Sequence, residues 1–516
     1  MHWRKIRVLG YNGEAHTGQE DNVQSKAEIY VLNPLTLESA GTEVLIQFLD
    51  AHPGIAFFDK HILWNFEPIG EFRLTHSILR RPRKRVLDEE RPGLRYEVLS
   101  NSLLGKGTYN RVYHSRATLI SEHNRHIRRT KEEGRERIVK RQNLEDADEV
   151  FMNTIRRGQA CAQRTYHLHA KPAVFVGSRC FEVERRMPGD ELFNLLNNEE
   201  KDLLSTLILF RMTFAVLQAY RQQVTTPGFI HRDVKPENIF VRMPPDGSLQ
   251  PIEVNIIDYG FCMEADAHEE GLVGSPLYCA PEIWECEQAS HASDIYSLGR
   301  TLAFIWRDAH PIWNSISNAE LRAFSSDVCH DALFANIPHF DENTKAAIRN
   351  LLARMTDPKA EMRPNIDEVI AGFTNIATDY YLNGSVSPGI PATHALRQKM
   401  SELRERNHVA LAEELQTLAE GVELAWLKNS PAVECEQLRA TMRAMKARLC
   451  EPRTHTDIAL TALGNAGILL GGLGFFGAIG LAATSQKRGS FFWHPKTDTA
   501  DTVSALRRQL PLAPAW

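Results

Sequence analysis

The eight residues from His231 to Asn238 limit the fold and the chemistry of this chain more than any other segment. They place an aspartate, a lysine and an asparagine at Asp233, Lys235 and Asn238, and Asp258-Tyr259-Gly260 follows twenty residues later. Phosphoryl transfer from ATP depends mainly on positioned charge: a carboxylate for the attacking hydroxyl, a cation for the moving phosphoryl group and two oxygen ligands for magnesium. These residues supply all four. The segment therefore predicts a loop that binds a charged ligand.

Length and composition limit the number of domains and the class of protein only broadly. At 516 residues the chain is too long for one compact core, so two or three domains are expected. A hydrophobic fraction of 43% is ordinary for a globular protein, and a net charge of −5 gives no sign of nucleic-acid binding. The eight cysteines contain no CxxC pair, which predicts no zinc site and favours a reducing compartment. The first residues contain no apolar core of the signal-peptide kind.

Strand-like patterns come first along the chain and helical patterns follow. Short strands are predicted at Tyr96–Val98, Val112–Arg116, Arg137–Arg141, Ala173–Val176 and Cys180–Glu184. Helices are predicted over Asp146–Gln159 and Lys201–Gln223, and a hairpin around Asp246-Gly247. Upstream, Ile29–Leu32 and Glu43–Ile46 are also predicted as strands. This order predicts an α+β fold in which a small sheet lobe and a larger helical lobe leave a ligand cleft.

Residues 96–381 resemble the eukaryotic-type serine/threonine protein kinases, because several signatures of that family occur in the right order. The resemblance implies a bilobal fold with a small β-rich N-lobe and a larger helical C-lobe. It also implies transfer of the γ-phosphate of Mg-ATP to serine or threonine hydroxyls of a protein substrate. Asp233 would orient the substrate hydroxyl and Lys235 would neutralise the γ-phosphate. Asn238 and Asp258 would ligate Mg²⁺.

The resemblance also assigns the phosphate-binding residues. Gly105, Lys106, Gly107 and Val112 would form the glycine-rich strand-turn-strand over the phosphates of ATP, with Asn110 where the family has its third glycine.

Lys140, in Ile138-Val139-Lys140, would bind the α- and β-phosphates, and Lys131 is an alternative. Glu149 would be the helix-borne carboxylate that pairs with this lysine. The adenine-binding hinge is placed between Val183 and Leu192, where Met187 lies in the hinge and Glu184 takes the gatekeeper position. The charge at Glu184, and Ile138 in place of a small alanine, depart from the family's pattern.

A second set of motifs favours a protein substrate. The Asp-x-Lys-Pro-x-Asn pattern around Lys235 resembles serine/threonine kinases, and Gly274–Glu282 resembles their substrate-docking segment. The resemblance implies that Ser275 hydrogen-bonds to Asp233 and Lys235, and that Glu282 forms a buried ion pair with Arg363. It also implies that Asp294 holds the catalytic-loop backbone.

The segment from Gly260 to Gly274 contains no Ser, Thr or Tyr but carries the acidic residues Glu264, Asp266, Glu269 and Glu270. In related kinases an arginine placed like Arg232 binds a phosphorylated residue of this segment. One hypothesis is that a carboxylate occupies that basic pocket permanently, so that activity does not depend on phosphorylation of the segment. A solvated acidic loop is the alternative.

The sequence predicts six regions. They are an N-terminal extension or accessory domain (1–92), a kinase domain (93–381), a linker (382–395), a charged helical region (396–457), an apolar glycine-rich segment (458–486) and a C-terminal tail (487–516). The apolar segment carries no charge and is long enough to cross a bilayer of about 30 Å. It therefore predicts membrane association, with the kinase domain facing the cytosol. A buried glycine-rich helix or helical hairpin is the alternative.

This order of regions is similar to that of membrane-directed effector kinases of intracellular bacteria, in which case the cytosol would be that of a host. Three other functions stay open at the level of sequence. They are a catalytically dead kinase scaffold at a membrane, a small-molecule kinase of the same fold, and a membrane protein in which the kinase domain is secondary. The Gly274–Glu282 segment favours a protein substrate over a small molecule.

Overall fold

A computed structural model describes most of the chain between residues 30 and 509. The described residues are 30–36, 39–67, 69–81, 94–106, 110–121, 127–129, 136–145, 147–197, 205–246, 248–268, 272–308, 317–326, 330, 333–334, 337, 340–383, 390–405, 407–429, 438–444 and 497–509. Gly107, Lys131 and the apolar segment 458–486 lie outside them.

Strands and helices are numbered in chain order. The strands are β1 (Tyr30–Leu32), β2 (Phe57–Phe58), β3 (Trp64–Phe66), β4 (Gly70–Leu74), β5 (Ile78–Arg81), β6 (Leu94–Lys106), β7 (Asn110–Ser121), β8 (Ile127–Arg129), β9 (Arg137–Asn143), β10 (Val174–Val176), β11 (Arg179–Arg185), β12 (Asp190–Glu191), β13 (Phe229–Ile230), β14 (Ile239–Arg242), β15 (Glu253–Ile256) and β16 (Met263–Glu264). The helices are α1 (Ser39–Ala51), α2 (Glu149–Arg164), α3 (Leu192–Asn197), α4 (Thr206–Tyr220), α5 (Pro281–Trp284), α6 (His291–Ile305), α7 (Asn318–Ser326), α8 (Glu342–Met355), α9 (Ile366–Asn383), α10 (Pro391–Glu405), α11 (Val409–Leu427) and α12 (Thr497–Gln509).

The chain divides into two compact units. The first comprises residues 1–187, 227–231 and 257–267, and its described part is rich in strands. The second comprises residues 188–226, 232–256 and 268–516, and its described part is mainly helical. The predicted α+β fold with a β-rich lobe and a helical lobe is confirmed.

The first unit is built on an eight-stranded sheet. Its strand order is β10-β11-β9-β7-β6-β5-β2, and β8 pairs with β7 at the side. The five strands predicted between residues 96 and 184 correspond to β6, β7, β9, β10 and β11. Apolar and polar residues alternate along β11, and both of its faces are buried from Cys180 to Glu184.

The N-terminal region contributes to the same sheet. Strand β5 pairs with β6, with Ile78 opposite Val98, and β2 pairs with β5. Helix α1 packs the buried ring of Phe48 into a core that contains Tyr96 and Val98. The described part of the region predicted as an extension thus shares its core with the kinase strands.

The prediction of a strand at Glu43–Ile46 is wrong, because these residues lie in helix α1. The apolar run continues to Phe48 and Leu49, and all four apolar side chains from Leu45 onward are buried on one side of the helix. The 3.6-residue spacing of Leu45, Phe48 and Leu49 outweighs the strand preference of a short run.

Helix α2 begins at Glu149 and runs through Arg164, five residues beyond the predicted end. The Asp148 carboxylate caps it by accepting a hydrogen bond from the Phe151 amide at 2.7 Å. Gly158 and Gln159 lie on its buried face.

The second unit contains a small sheet, β12-β14-β15, and a set of helices around α4. Helix α4 is buried on most of its faces, as its apolar sequence predicted, and five residues in π-helical geometry, Arg221–Thr225, follow it. Strands β14 and β15 form the predicted antiparallel hairpin. This hairpin follows directly after Asn238, so it fixes the end of the catalytic loop.

The described C-terminal helices form part of the second unit. Side chains of α10, α11 and α12 share a core with Leu249, which lies in the loop between β14 and β15. The Asn429 side chain holds the same loop, donating to the Ile252 carbonyl at 3.1 Å and accepting from the Ile252 amide at 2.7 Å. The charged helical region is thus a docked part of this unit in its described portion.

Among the described helices, none combines the length and the apolar composition that a membrane span requires. The segment 458–486, for which a span was predicted, lies outside the described residues and stays a prediction.

Candidate active site

The glycine-rich hairpin is formed by β6 and β7. Gly105 pairs with Val112, and Val112 pairs in turn with Lys140 on β9. Directly opposed residues of antiparallel strands carry their side chains on the same face. The register therefore aligns three predicted nucleotide-site residues in one row across the sheet. Lys106 stands opposite Arg111 beside the turn, and Gly107 within the turn lies outside the described residues.

Lys140 is a buried cation between two carboxylates. Its side chain is 5% exposed, and its Nζ lies 3.1 Å from Glu184 Oε2 and 3.5 Å from Asp258 Oδ1. Burial alone would lower the pKa of Lys140, but Glu184, Asp258 and Glu182 together raise it above its usual value. The lysine is therefore charged at any physiological pH.

Glu149, the predicted partner of Lys140, is not brought to it. Glu149 is the exposed first residue of α2, and among the described residues it has no ion pair. The carboxylate partners of Lys140 are instead Glu184 on β11 and Asp258. Glu149 lies in the exposed first turn of α2, and the buried residues of the helix begin only at Thr154.

The buried face of α2 presents an amide to the sheet. Gln159 Nε2 donates to Glu182 Oε1 at 2.9 Å and to Cys180 Sγ at 2.8 Å. Glu182 stands directly opposite Lys140 on β11. Burial, and then repulsion by Glu184, raise the pKa of Glu182 to about 7. The carboxylates of Glu182 and Glu184 thus lie near the same lysine, and ionising both of them costs more free energy than ionising one.

The segment predicted as the adenine-binding hinge follows directly after β11. Met187 is buried and is the last residue of this stretch of the first unit. Glu184 lies opposite Ile138 in the β9–β11 ladder, so both departures from the family's pattern occur at one cross-strand pair.

Asp258 occupies an uncommon backbone conformation, with φ of 64° and ψ of 64°. The following Tyr259 packs its ring edge-on to His231 at 4.9 Å, and a His231 ring nitrogen contacts the Ile257 carbonyl at 3.1 Å. These contacts fix the residues on both sides of Asp258. The left-handed conformation is costly for a non-glycine residue and marks a site where the surroundings impose it.

Helix α2 packs directly on this aspartate loop through Gly158. A Cβ atom added at Gly158 would lie 2.3 Å from the Tyr259 carbonyl oxygen and 2.4 Å from that of Gly260. Gly158 was not predicted as a site residue, because a glycine inside a helix carries no signal of the backbone it will meet.

The second unit holds the three predicted catalytic-loop residues close together. Lys235 Nζ lies 3.0 Å from Asp233 Oδ2, and Asn238 Nδ2 donates to the same Oδ2 at 2.9 Å. Lys235 Nζ also donates to Ser275 Oγ at 2.5 Å, as predicted. The cluster joins a buried carboxylate, an amide and a partly exposed ammonium group.

Asp294 holds the backbone of this loop in place. Its carboxylate accepts from the Arg232 amide at 2.9 Å and from the Tyr220 hydroxyl at 3.0 Å. Gly274 approaches so closely that a Cβ there would lie 2.3 Å from the Arg232 carbonyl oxygen, and its φ of +101° also requires glycine.

The predicted ion pair between Glu282 and Arg363 is confirmed. Both terminal nitrogens of the Arg363 guanidinium group donate to the carboxylate, at 2.7 and 2.8 Å. Burial would raise the pKa of Glu282, but the hydrogen bond and the charge of Arg363 hold it below its usual value. This bidentate pair ties the docking segment to the helical core.

A model of the protein kinase domain matches residues 100–372, which is more than half of the chain. The chain belongs to the protein kinase family. The kinase domain thus comprises most of the region in which the sequence motifs were found.

The kinase is also similar to curated proteins. It is 24% identical over 295 residues to the dual specificity protein kinase shkC of Dictyostelium discoideum, covering 55% of this chain and 52% of the relative. It is 23% identical over 298 residues to the dual specificity protein kinase shkA of the same organism, with 55% and 50% covered. It is 26% identical over 330 residues to calcium-dependent protein kinase 2 of Arabidopsis thaliana, with 61% and 48% covered. The chain thus spans about half the length of these relatives.

The residues of the kinase suit Mg²⁺ and ATP. Magnesium takes oxygen ligands, and Asn238 directs its Nδ2 to Asp233, so that no described residue donates to its Oδ1. The Asp258 side chain is about one-third exposed, at 32%, although one of its oxygens faces Lys140. A carboxylate, an amide oxygen and a buried lysine are the groups that a metal-bound triphosphate requires.

The acidic segment of the kinase is anchored at a place that was not predicted. Strand β16 pairs with β13, and Glu264 forms an ion pair with Arg164 at the end of α2. Arg164 also lies over the Phe229 ring at 4.9 Å. Glu264 thus pairs with the helix at an exposed position, Asp266 is exposed, and Glu269 and Glu270 lie outside the described residues.

Proposed function

We propose that the protein is a Mg-ATP-dependent kinase that phosphorylates serine and threonine hydroxyls of proteins. The observation that carries this proposal is the cluster of Asp233, Lys235 and Asn238, in which Lys235 also binds Ser275 of the docking segment. Two relatives are named dual specificity kinases. The lysine at position 235, which is typical of serine/threonine kinases, supports the narrower specificity.

Each residue has a role that follows from its surroundings. Bound Mg-ATP supplies the transferable γ-phosphoryl group and the metal charge that neutralises its oxygens. Asp233 accepts or orients the proton of the substrate hydroxyl. Lys235 brings positive charge to the position of that hydroxyl, beside the Asp233 carboxylate. Lys140 would hold a fixed positive charge for the α- and β-phosphates, and Asp258 and Asn238 are the residues that would each supply an oxygen ligand to Mg²⁺.

Transfer of labelled γ-phosphate to a general protein substrate, followed by identification of the phosphorylated amino acid, tests this function. The full chain is expected to label serine and threonine. Asp233→Asn is expected to lower the rate by about 100- to 10,000-fold, because it removes the general base. Labelling of tyrosine at a comparable rate would contradict the serine/threonine specificity.

A catalytically silent scaffold is the second candidate function. The observation that favours it is the absence of a helix-borne carboxylate at Lys140 in the described structure. A scaffold of this kind would bind its partners with no phosphate transfer at any Mg²⁺ concentration, and Asp233→Asn would then behave as the wild type.

Regulation without phosphorylation of the segment from Gly260 to Gly274 is part of the proposal. The segment has no hydroxyl residue, and Glu264 already pairs with a basic residue of α2. Protein treated with phosphatase is expected to keep the activity of untreated protein. A large loss after treatment would show that a phosphate elsewhere in the chain is required.

We further propose that the segment 458–486 associates with a membrane and leaves the kinase domain in the cytosol, where ATP is available. Its support is the lack of charge in the segment. Leu470→Arg with Phe476→Arg is expected to move the full chain from the membrane fraction to the supernatant. An unchanged distribution of this double variant would contradict membrane insertion.

A further inference from the structure

We propose that Glu184, on strand β11, is the positioning residue that holds Lys140 for ATP, in the role that the resemblance assigned to a helix-borne carboxylate. This role of Glu184 rests on the proposed kinase function. The residue that keeps the lysine in place belongs to the sheet and not to helix α2.

The first support is the register of the sheet. Strand β11 pairs with β9 along seven consecutive residues, which place Glu182 opposite Lys140 and Glu184 opposite Ile138. Glu182 and Glu184 lie two residues apart, so they point to the same face as Lys140. The contact between Lys140 and Glu184 is therefore fixed by backbone hydrogen bonds, and it breaks only if the ladder slips.

The second support is burial. The side chains of Lys140 and Glu184 are 5% and 3% exposed, and 3.1 Å separates their charged atoms. Removing one member of a buried ion pair leaves the charge of the other member uncompensated. The Glu184 carboxylate therefore determines where the Lys140 ammonium group is placed.

The third support is that the neighbouring carboxylate is engaged elsewhere. Glu182 accepts a hydrogen bond from Gln159, and its raised pKa keeps it partly protonated near neutral pH. Glu184 is the carboxylate in direct contact with Lys140 Nζ besides Asp258. Without Glu184, the lysine would have Asp258 as its remaining ion-pair partner, and it would draw that carboxylate away from the metal.

The fourth support concerns helix α2. Its buried face presents Gln159, a neutral amide, while the helix is held by the contact of Gly158 with the Tyr259 and Gly260 carbonyls. The helix thus packs on the Asp258 loop through its backbone and leaves the charge on Lys140 to the sheet. A displacement of α2 would not by itself break the ion pair between Lys140 and Glu184.

Purified full chain carrying Glu184→Gln tests this inference, with Glu149→Gln as the competing position and Glu145→Gln as the matched control on an exposed residue. Initial rates at varied Mg-ATP give kcat and KM, calorimetry with a non-hydrolysable ATP analogue and Mg²⁺ gives Kd, and a melting curve gives the folded fraction. Because a misplaced group costs up to about 100-fold, Glu184→Gln is expected to lower kcat/KM for ATP by about that factor and to weaken binding of the analogue. Glu149→Gln is expected to stay within about twofold of the wild type, as Glu145→Gln does.

A role limited to folding would lower the melting temperature and leave kcat per folded molecule unchanged, so that result overturns the inference. Glu184→Asp keeps the charge on a shorter side chain and is expected to recover part of the loss; it also serves if Glu184→Gln does not fold. Equal losses for Glu149→Gln and Glu184→Gln would likewise overturn it.

Failure of the kinase function would be seen separately. If the wild type binds the Mg²⁺-loaded analogue but transfers no phosphate, the function is wrong, and the Kd values alone decide the role of Glu184. If the wild type does not bind the analogue, both proposals are wrong, because there is then no nucleotide for Lys140 to hold.

Discussion

At the scale of single residues, the site depends on a few positions whose surroundings allow almost no substitution. Gly158 is one of them. Alanine inside a helix normally stabilises it by about 1 kcal/mol relative to glycine. Here the added methyl group would lie 2.3 Å from the Tyr259 carbonyl oxygen, so the sign is expected to reverse.

Gly158→Ala is expected to lower the free energy of unfolding by about 1–3 kcal/mol, the usual range for overpacking. It is also expected to reduce kinase activity, because it pushes the loop that carries Asp258. The matched control is Gly54→Ala, where a Cβ meets nothing within 4 Å. Urea unfolding, monitored by fluorescence, measures the free energy of unfolding of both variants. A Gly158→Ala protein more stable than the wild type would contradict the close packing.

Glu182 gives a prediction on pH. Its pKa rises from 4.5 to about 7 in the folded state, first because of burial and then because of Glu184. As pH rises above 4.5 the unfolded chain releases this proton first, so ionisation favours the unfolded state until the folded carboxyl also titrates near 7. The contribution of Glu182 to stability therefore falls between pH 4.5 and 7 and stays low above that.

Glu182→Gln keeps an acceptor for Gln159 and removes this titration. The charged and titratable groups around the position are Lys140, Glu184, Asp258 and Cys180, and the pKa of Cys180 is raised to about 12, so its thiol stays neutral. The variant is expected to gain stability relative to the wild type at pH 8 and to lose that gain at pH 4.5. Urea unfolding at both values measures the difference, and a gain that does not depend on pH would contradict the assignment.

At the scale of elements, helix α1 links the N-terminal region to the kinase sheet. Phe48 is fully buried in a core shared with Tyr96 and Val98 of β6. Phe48→Ala is expected to lower the free energy of unfolding by about 3–5 kcal/mol, as in other buried sites. Because the core is shared, binding of the ATP analogue should be lost in the same transition.

The control for this element is Ile62→Ala, a residue that is 47% exposed. Unfolding followed both by fluorescence and by binding of the ATP analogue shows whether the two signals coincide. If Phe48→Ala melts the N-terminal region in a separate, earlier transition, that region is an accessory domain and not a part of the sheet.

Many of the strands and loops could be predicted from the sequence. Alternating strands, the glycine-rich hairpin and the catalytic loop are encoded within short stretches, so β6, β7, β9 and the Asp233 cluster followed from local patterns. The partner of Lys140 did not, because Glu184 reaches it only through the register of two strands that are far apart in sequence. Gly158 was missed for a related reason: its function depends on the carbonyl groups of a distant loop.

At the scale of the whole molecule, the described C-terminal helices are tied to the second unit by a buried polar network. Glu423 on α11 is fully buried and accepts hydrogen bonds from the Tyr381 hydroxyl at 2.7 Å and from Thr393 and Arg397. The hydrogen bonds of Arg397 and Thr393 hold the pKa of Glu423 below its usual value, although burial acts in the opposite direction. The network therefore depends on the charge of Glu423.

Glu423→Gln leaves Arg397 without its buried carboxylate and is expected to cost about 3–5 kcal/mol. Limited proteolysis should then release the C-terminal helices faster than in the wild type. Glu413→Gln, on the exposed face of the same helix, is the matched control. Equal rates of cleavage for both variants would show that the docking depends on the apolar core alone.

The docking of these helices could not be predicted from sequence. Their periodicity indicated helices, but Leu249 and Ile252 of the β14–β15 loop gave no sign that α11 covers them. Two charged residues of this region, Glu423 and Arg397, form an ion pair in which Glu423 is buried and Arg397 is partly exposed.

One rate decides whether this chain transfers phosphate from Mg-ATP. Initial transfer of labelled γ-phosphate by the full chain is measured at varied Mg²⁺, for the wild type and for Asp258→Asn, which removes a proposed metal ligand and a carboxylate partner of Lys140. We expect Mg²⁺-dependent transfer by the wild type and a loss of about 100-fold or more in the variant. Transfer that is equal in the two proteins, or that persists when Mg²⁺ is chelated, would contradict it.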